Sequence, residues 1–175
     1  MSASIAPLSV DEFLAWERDQ PLRYEFDGIQ PLAMTGGSLR HARIVTRLTT
    51  ALANRVQPPC EAIGSELKVL TPGRVRYPDA SVSCGQDDES DTVEPTIVFE
   101  VISPSTALTD RRVKAVEYGA VPSILAYVIL ETDRPEIVVR RRSNLWEAET
   151  IAGLDAALPL PEIGVSIPLT ALYAR

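Results

Sequence analysis

TIVFEVISPST, residues 96–106, places an acid, Glu100, inside a run that is otherwise apolar: Ile97, Val98, Phe99, Val101 and Ile102. A short, nearly continuous apolar run bounded by turn residues reads as a strand of a sheet covered on both faces. Such a strand offers a carboxylate no water, and an unpaired buried charge costs several kcal/mol. Glu100 must therefore be paired, bind a metal, or lie where the strand opens into a cleft. Ser103 and Pro104 end the run, so Glu100 sits near a strand end, the usual place for a ligand site in an open α/β sheet.

Two neighbours extend this reading. Asp79, in RYPDASV, enters a β-type run (Ala80, Ser81, Val82) directly after Pro78, and Lys114 falls in TDRRVKAVEYG, helical in pattern. Thr109 and Asp110 start that helix and Gly119 and Pro122 stop it. Asp110, Lys114 and Tyr118, spaced i, i+4 and i+8, share one face; Val113, Val116 and Ala120 form another. Ile124–Leu130 (ILAYVIL) is a second apolar strand. Strand, helix and strand in this order imply a right-handed βαβ crossover between parallel strands. On spacing alone, two acids and a lysine on these elements can converge on one metal site. They can equally form an internal ion-pair network with no metal.

The remaining chain supplies the frame. Ser9 as N-cap, with Glu12 at the third helical position and Leu8 and Phe13 as a staple, starts a helix over residues 8–18 that braces the sheet. RYEFDGIQPLAM (23–34) reads as two short strands about Asp27-Gly28, with Glu25 as a strand carboxylate. After Gly36-Gly37, residues 41–56 carry Ile44, Val45, Leu48, Ala51, Leu52 and Val56 at helical spacing. His41, the single histidine, begins this helix on or near its apolar side, either as a hydrogen-bonded core residue or as a functional group. Residues 61–83 turn β in texture around Thr71-Pro72-Gly73, and the acidic stretch 85–94 reads as a solvated loop. A hairpin is expected around Ser143-Asn144, followed by a C-terminal edge strand containing Val165 and Ile167 and a closing turn over 169–173.

A chain of 175 residues, 45% hydrophobic and 23% charged, fits one soluble domain spanning residues 1–175. No apolar run approaches the roughly 18 residues needed to span a bilayer, and the N-terminus lacks the basic start and apolar centre of a signal peptide. A cytoplasmic protein without membrane association is expected. Cys60 and Cys84 lack CxxC spacing and are read as free thiols. The net charge of −7 argues against broad nucleic-acid affinity. It leaves room for a local basic face: Arg40, Arg43, Arg47 and Arg55 share one predicted helix, Arg111, Arg112 and Lys114 another, and Arg140–Arg142 lie near a turn. Each group reads as a solvated face, with phosphate binding as the alternative.

The order of helix, strands, Asp79 strand, Glu100 strand, Lys114 helix and strand resembles the restriction-endonuclease-like fold, whose metal motif is PD…(D/E)xK. Pro78-Asp79 and Glu100 match it. Ile102 stands where the motif has lysine, and Lys114 takes that place from the following helix. YEFDGI, His41 after Gly-Gly, RYPDASV, FEVISPST and DRRVKAVEYGAVPSILAYVIL together look like the Uma-type family of bacterial endonuclease-like proteins. The likeness runs from about Ser9 to the C-terminal strand; YEFDGI and the acidic loop depart from the family's usual pattern. It implies an α/β (α+β) domain with a mixed central sheet flanked by helices and a C-terminal β-hairpin extension. It further implies magnesium or manganese held by Asp79, Glu100 and the Val101 carbonyl, hard oxygen donors suited to such ions. Lys114 would orient the attacking water, Glu25 would be an accessory acid, and His41 a phosphate contact or proton carrier. The expected activity is endonucleolytic hydrolysis of DNA, bound weakly by a homodimer. The alternative is a catalytically silent, self-associating binding or scaffold module of the same fold.

Overall fold

The computed structural model describes residues 8–34, 36–85, 89–102 and 110–174, without the side chains of Asp110 and Arg111. Its centre is a six-stranded sheet in the order β10-β9-β8-β7-β6-β3. These strands are β3 Cys60–Gly64, β6 Ala80–Cys84, β7 Ile97–Ile102, β8 Ala126–Glu131, β9 Glu136–Arg141 and β10 Ala148–Ala152. β7 and β8 run parallel, with Ile97 opposite Ala126 and Ile102 opposite Glu131, and every other neighbouring pair is antiparallel. A π-helical turn, Asp110–Lys114, continues into α3, Ala115–Gly119, between the parallel strands. Thr109 and the Ser103-Pro104 strand end lie outside the described residues.

All six residues of β7 and of β8 are buried. Because successive side chains point to opposite faces, β7 feeds two cores. Ile97, Phe99 and Val101 pack with Ile44, Leu48 and Leu52 of α2 (Leu39–Ala53). Val98 and Ile102 pack with Tyr118 and Tyr127. Glu100 keeps step with Val98 and Ile102, so the pleat turns it toward the α3 side. Strand periodicity thus decides which helix can answer its charge.

A second sheet, β2-β1-β5-β4, is formed by β1 Tyr24–Phe26, β2 Pro31–Ala33, β4 Val69–Thr71 and β5 Arg74–Arg76. Helix α1, Val10–Glu17, covers it with Phe13, which stacks on Phe26 at a centroid distance of 4.9 Å. The Ser9–Glu12 capping box expected from the sequence is present. Among the described residues no helix is long and apolar enough to cross a membrane.

Two expectations change, and a third gains its strand partner. Cys60 and Cys84 are Cα partners across β3 and β6 and form a disulfide, so neither is a free thiol. A spacing rule looks for nearby cysteines, whereas these, 24 residues apart, are brought together by strand register. The expected C-terminal edge strand is β12, Val165–Pro168, which pairs with β11, Ala157–Leu160, in a separate two-stranded ribbon, and the expected closing turn is α4, Leu169–Tyr173. Leu158, Leu160, Ile167, Leu169 and Leu172 close the α2-side core. The acidic stretch is not wholly solvated: Val93 is buried and Asp91 pairs with Lys68 at 3.3 Å, while residues 86–88 lie outside the described residues.

Candidate active site

Glu100 is 5% exposed, and its Oε1 accepts from two donors: Lys114 Nζ at 2.9 Å and the Tyr118 hydroxyl at 2.9 Å. Lys114 and Tyr118 are one helical turn apart on the expected face. Among the described residues no hydrogen bond reaches Glu100 Oε2. Burial is the main influence on this carboxyl and raises its pKa. Lys114 opposes that rise, Asp79 and Glu25 add to it by repulsion, and the result is a pKa pushed up to about 7.

Asp79 lies just before β6, one position outside the strand expected to hold it. Pro78 has no N–H to continue a ladder, so pairing starts only at Ala80, opposite Phe99. One step beyond that pair, Asp79 comes opposite Glu100. Its Oδ2 accepts from the Val101 backbone N–H at 2.7 Å and contacts His41 Nε2 at 3.2 Å. His41 is presented by the first turn of α2, where Ser38 caps its backbone N–H. Gly37 lies against the ring: a Cβ there would come within 2.8 Å of His41 Nδ1. The glycine leaves the space in which the imidazole turns toward Asp79.

Glu25 is not the exposed strand carboxylate that local sequence suggests. It accepts from Arg76 at 3.0 Å, from the Tyr77 N–H at 3.2 Å and from Lys114 at 3.5 Å. Arg76, 4% exposed, also holds Glu117 through Nε at 2.7 Å and Nη2 at 3.0 Å, and Arg74 pairs with the same carboxylate. Glu25, Lys114 and Glu100 thus form one chain of charges leading from the small sheet to β7.

The donor set suits a hard divalent cation. Asp79 and Glu100 are adjacent carboxylates, each with one oxygen free of hydrogen bonds among the described residues, and their repulsion is felt in the Glu100 pKa. Among the described residues no three His, Cys, Asp or Glu side chains gather as a metal-holding group. A metal site here would have to combine these two carboxylates with backbone oxygen, the part that the family resemblance assigned to the Val101 carbonyl.

A family described as "Uma2: Putative restriction endonuclease" matches residues 10–170. The chain belongs to this family. An uncharacterised Synechocystis protein is 33% identical over 180 residues, covering 98% of this chain and 94% of that protein. The crystal structure of a "putative nuclease belonging to DUF820" from Anabaena variabilis superposes with a TM-score of 0.76 at 18% identity, covering 95% of this chain and 97% of its own. That likeness establishes the restriction-endonuclease-like fold.

In this Uma2 protein, Glu25, Lys114 and Glu100 form one cluster, and His41, Asp79 and the Val101 amide form an adjoining one. The arginines near the hairpin are not a phosphate face. Arg141 is tied to Glu149, Glu162 and the Pro159 carbonyl, while Arg142 donates to the carbonyls of Gly119, Val121 and Ile124. Arg76, Glu117 and the Tyr118 hydroxyl are site-supporting groups that the sequence reading gave no role. The alternating Arg74-Val75-Arg76, with Val75 fully buried, carried a signal of two arginines held against a packed sheet.

His41 provides a check in solution because it is the only histidine. Its hydrogen bond to Asp79 raises the imidazole pKa, burial opposes this, and the charges of Asp79 and Glu100 add to the rise. In the metal-free protein, NMR titration of this imidazole is expected to give a pKa above 6.5, returning toward that value in Asp79→Asn. The associated stabilisation is complete below the unfolded-state value and is lost as pH rises through the folded-state pKa. An unshifted imidazole would show that the Asp79 contact does not persist in solution.

Proposed function

We propose that this Uma2 member is a magnesium- or manganese-dependent endonuclease that hydrolyses DNA phosphodiesters beside Asp79 and Glu100. The supporting observation is a buried strand carboxylate held by Lys114 at 2.9 Å, with Asp79 fixed at the neighbouring strand by the Val101 amide. Asp79, Glu100 and the Val101 carbonyl would hold the metal, which supplies Lewis acidity to make water nucleophilic at neutral pH and to offset charge on the scissile phosphate. Lys114, oriented by Glu100 and Glu25, positions the attacking water and stabilises charge that builds on phosphate in the transition state. Glu25 divides its two oxygens between Arg76 and Lys114, so its role is to aim the ammonium. His41, its ring steered by Asp79, serves as a phosphate contact or proton carrier.

A second reading, a catalytically silent self-associating module, draws on the direct pairing of Lys114 with Glu100, which neutralises the buried acid without any metal. Supercoiled plasmid separates the two. Wild type is expected to nick it with manganese or magnesium and not with a chelator, and Asp79→Asn and Glu100→Gln, shown to be folded, should be slower by at least about 100-fold. Wild type that leaves plasmid intact with either metal would favour the silent module.

A further inference from the structure

We propose that Arg40, Arg43, Arg47 and Arg134 form a phosphate-binding cleft that grips the nucleic-acid strand beside the scissile phosphodiester; this rests on the nuclease reading above. The four side chains line a cleft of ≈ 690 Å³ together with Thr132 and Tyr173, and Asp79, Glu100 and Lys114 lie outside it.

The charges in this cleft are not arranged for stability. Arg40, Arg43 and Arg47 follow one another on α2 at i, i+3 and i+7, so they share a face where like charges repel. Among the described residues neither Arg40 nor Arg43 forms an ion pair, in a chain whose acids outnumber its bases by 24 to 17. Arg47 is anchored through one nitrogen to the Leu172 carbonyl at 3.3 Å, which fixes its guanidinium at the cleft wall. Arg134 pairs with Glu136 at 3.0 Å and more loosely with Asp133, itself a lining residue. With Asp133 and Glu136 both set against Arg134, the positive charge of the cleft comes from Arg40, Arg43 and Arg47 on α2. Arginine forks match phosphate oxygens in pairs, and a polyanion relieves the repulsion along α2.

The cleft adjoins the candidate active site along two elements. Arg40 precedes His41, whose ring contacts Asp79 at 3.2 Å. Thr132 N–H donates to the Ile102 carbonyl at 3.1 Å, two residues beyond Glu100 on β7. Arg40 to Arg47 spans about 10 Å of helix, the axial rise of about three nucleotides of one strand. A strand leaving the scissile position has an arginine within reach of successive phosphates.

The test uses full-length protein and a fluorescent DNA duplex with chelator present to prevent metal-dependent cutting, with anisotropy measured across a range of salt. Wild type and Asp79→Asn are compared with Arg40→Ala/Arg43→Ala, both sites exposed, and with Arg18→Ala, just past the end of α1, as a single-charge control. The double variant is expected to bind about tenfold more weakly and to lower the slope of log K against log salt by about two, as loss of two phosphate contacts requires. Inorganic tripolyphosphate should compete with DNA for wild type and much less for the double variant. Wild type that binds and cuts DNA, with affinity and slope unchanged in the double variant, would overturn the cleft alone. Wild type that neither binds nor cuts would overturn the nuclease reading and the cleft with it.

Discussion

Replacing Lys114 with methionine is expected to lower metal-dependent plasmid nicking by at least about 100-fold, the scale for loss of one preorganised group facing developing charge. The same change acts on the buried acid. Burial lifts the Glu100 pKa and Lys114 is the main force opposing it, so without Lys114 the pKa rises further above about 7. The sign follows from proton uptake. A carboxyl whose folded pKa exceeds its unfolded value takes up protons on folding, so stability falls as pH rises from about 4.5 through about 7. In Lys114→Met that fall becomes deeper and extends to higher pH. Urea denaturation should show a deficit of about 3 kcal/mol at pH 8, the range for breaking a buried pair, shrinking toward pH 5, where Glu100 is protonated in both proteins. Nicking at the wild-type rate by a folded Lys114→Met protein would remove Lys114 from the mechanism.

Replacing Arg76 with alanine is expected to give the largest stability loss, about 3–5 kcal/mol at pH 7. Arg76 joins Glu25 to Glu117 in a buried position, and its removal leaves Glu117 with Arg74 and Glu25 with Lys114 and a backbone amide. Burial alone would raise the Glu117 pKa, but the Arg76 bonds, with help from Arg74, outweigh it and hold this carboxyl below its ordinary value. A lowered folded pKa means stabilisation that is present above the unfolded value near 4.5 and is lost as pH falls through the folded one. The gap between wild type and variant in urea midpoints should therefore narrow as pH drops from 7 to below about 4. A gap independent of pH would point to lost packing rather than lost charge. Nicking should fall as well, because Glu25 loses the partner opposite Lys114.

The sequence was most legible where one residue had to satisfy two requirements at once. Glu100 inside IVFEVI could not be an ordinary strand residue, and the structure answers it with the Lys114 and Tyr118 face that helical spacing had marked. Asp79 after Pro78 was legible as a candidate acid, yet its position just ahead of β6 depends on where pairing starts, which only the fold decides. The Cys60–Cys84 disulfide was not legible, and the C-terminal strand with Val165 and Ile167 was legible without its partner β11, because both pairings depend on which strands become neighbours. Strand pairing is nonlocal, and local patterns do not encode partner choice. The Arg140–Arg142 run misled for a related reason. A string of like charges looks solvated until the fold brings carbonyls and carboxylates to meet each guanidinium.

Glu25 and Arg76 show how a site hides in plain sequence. Glu25 reads as an exposed strand acid from its neighbours, and its importance comes from Arg76 and Lys114, distant in the chain and adjacent in space. The family pattern marked Glu25 as an accessory acid, supporting the metal site from behind or holding a second metal. In the structure one of its oxygens accepts from Arg76 and the other from the Tyr77 amide and the lysine.

The central claim is that Asp79 and Glu100 together hold a divalent cation. Calorimetric titration of manganese into metal-free wild type, Asp79→Asn and Glu100→Gln tests it most directly. One site per chain in wild type, lost or weakened by at least about tenfold in both folded variants, is the predicted result. Manganese that fails to bind wild type, or binds both variants as tightly as wild type, would contradict the account and leave Lys114–Glu100 as a structural ion pair.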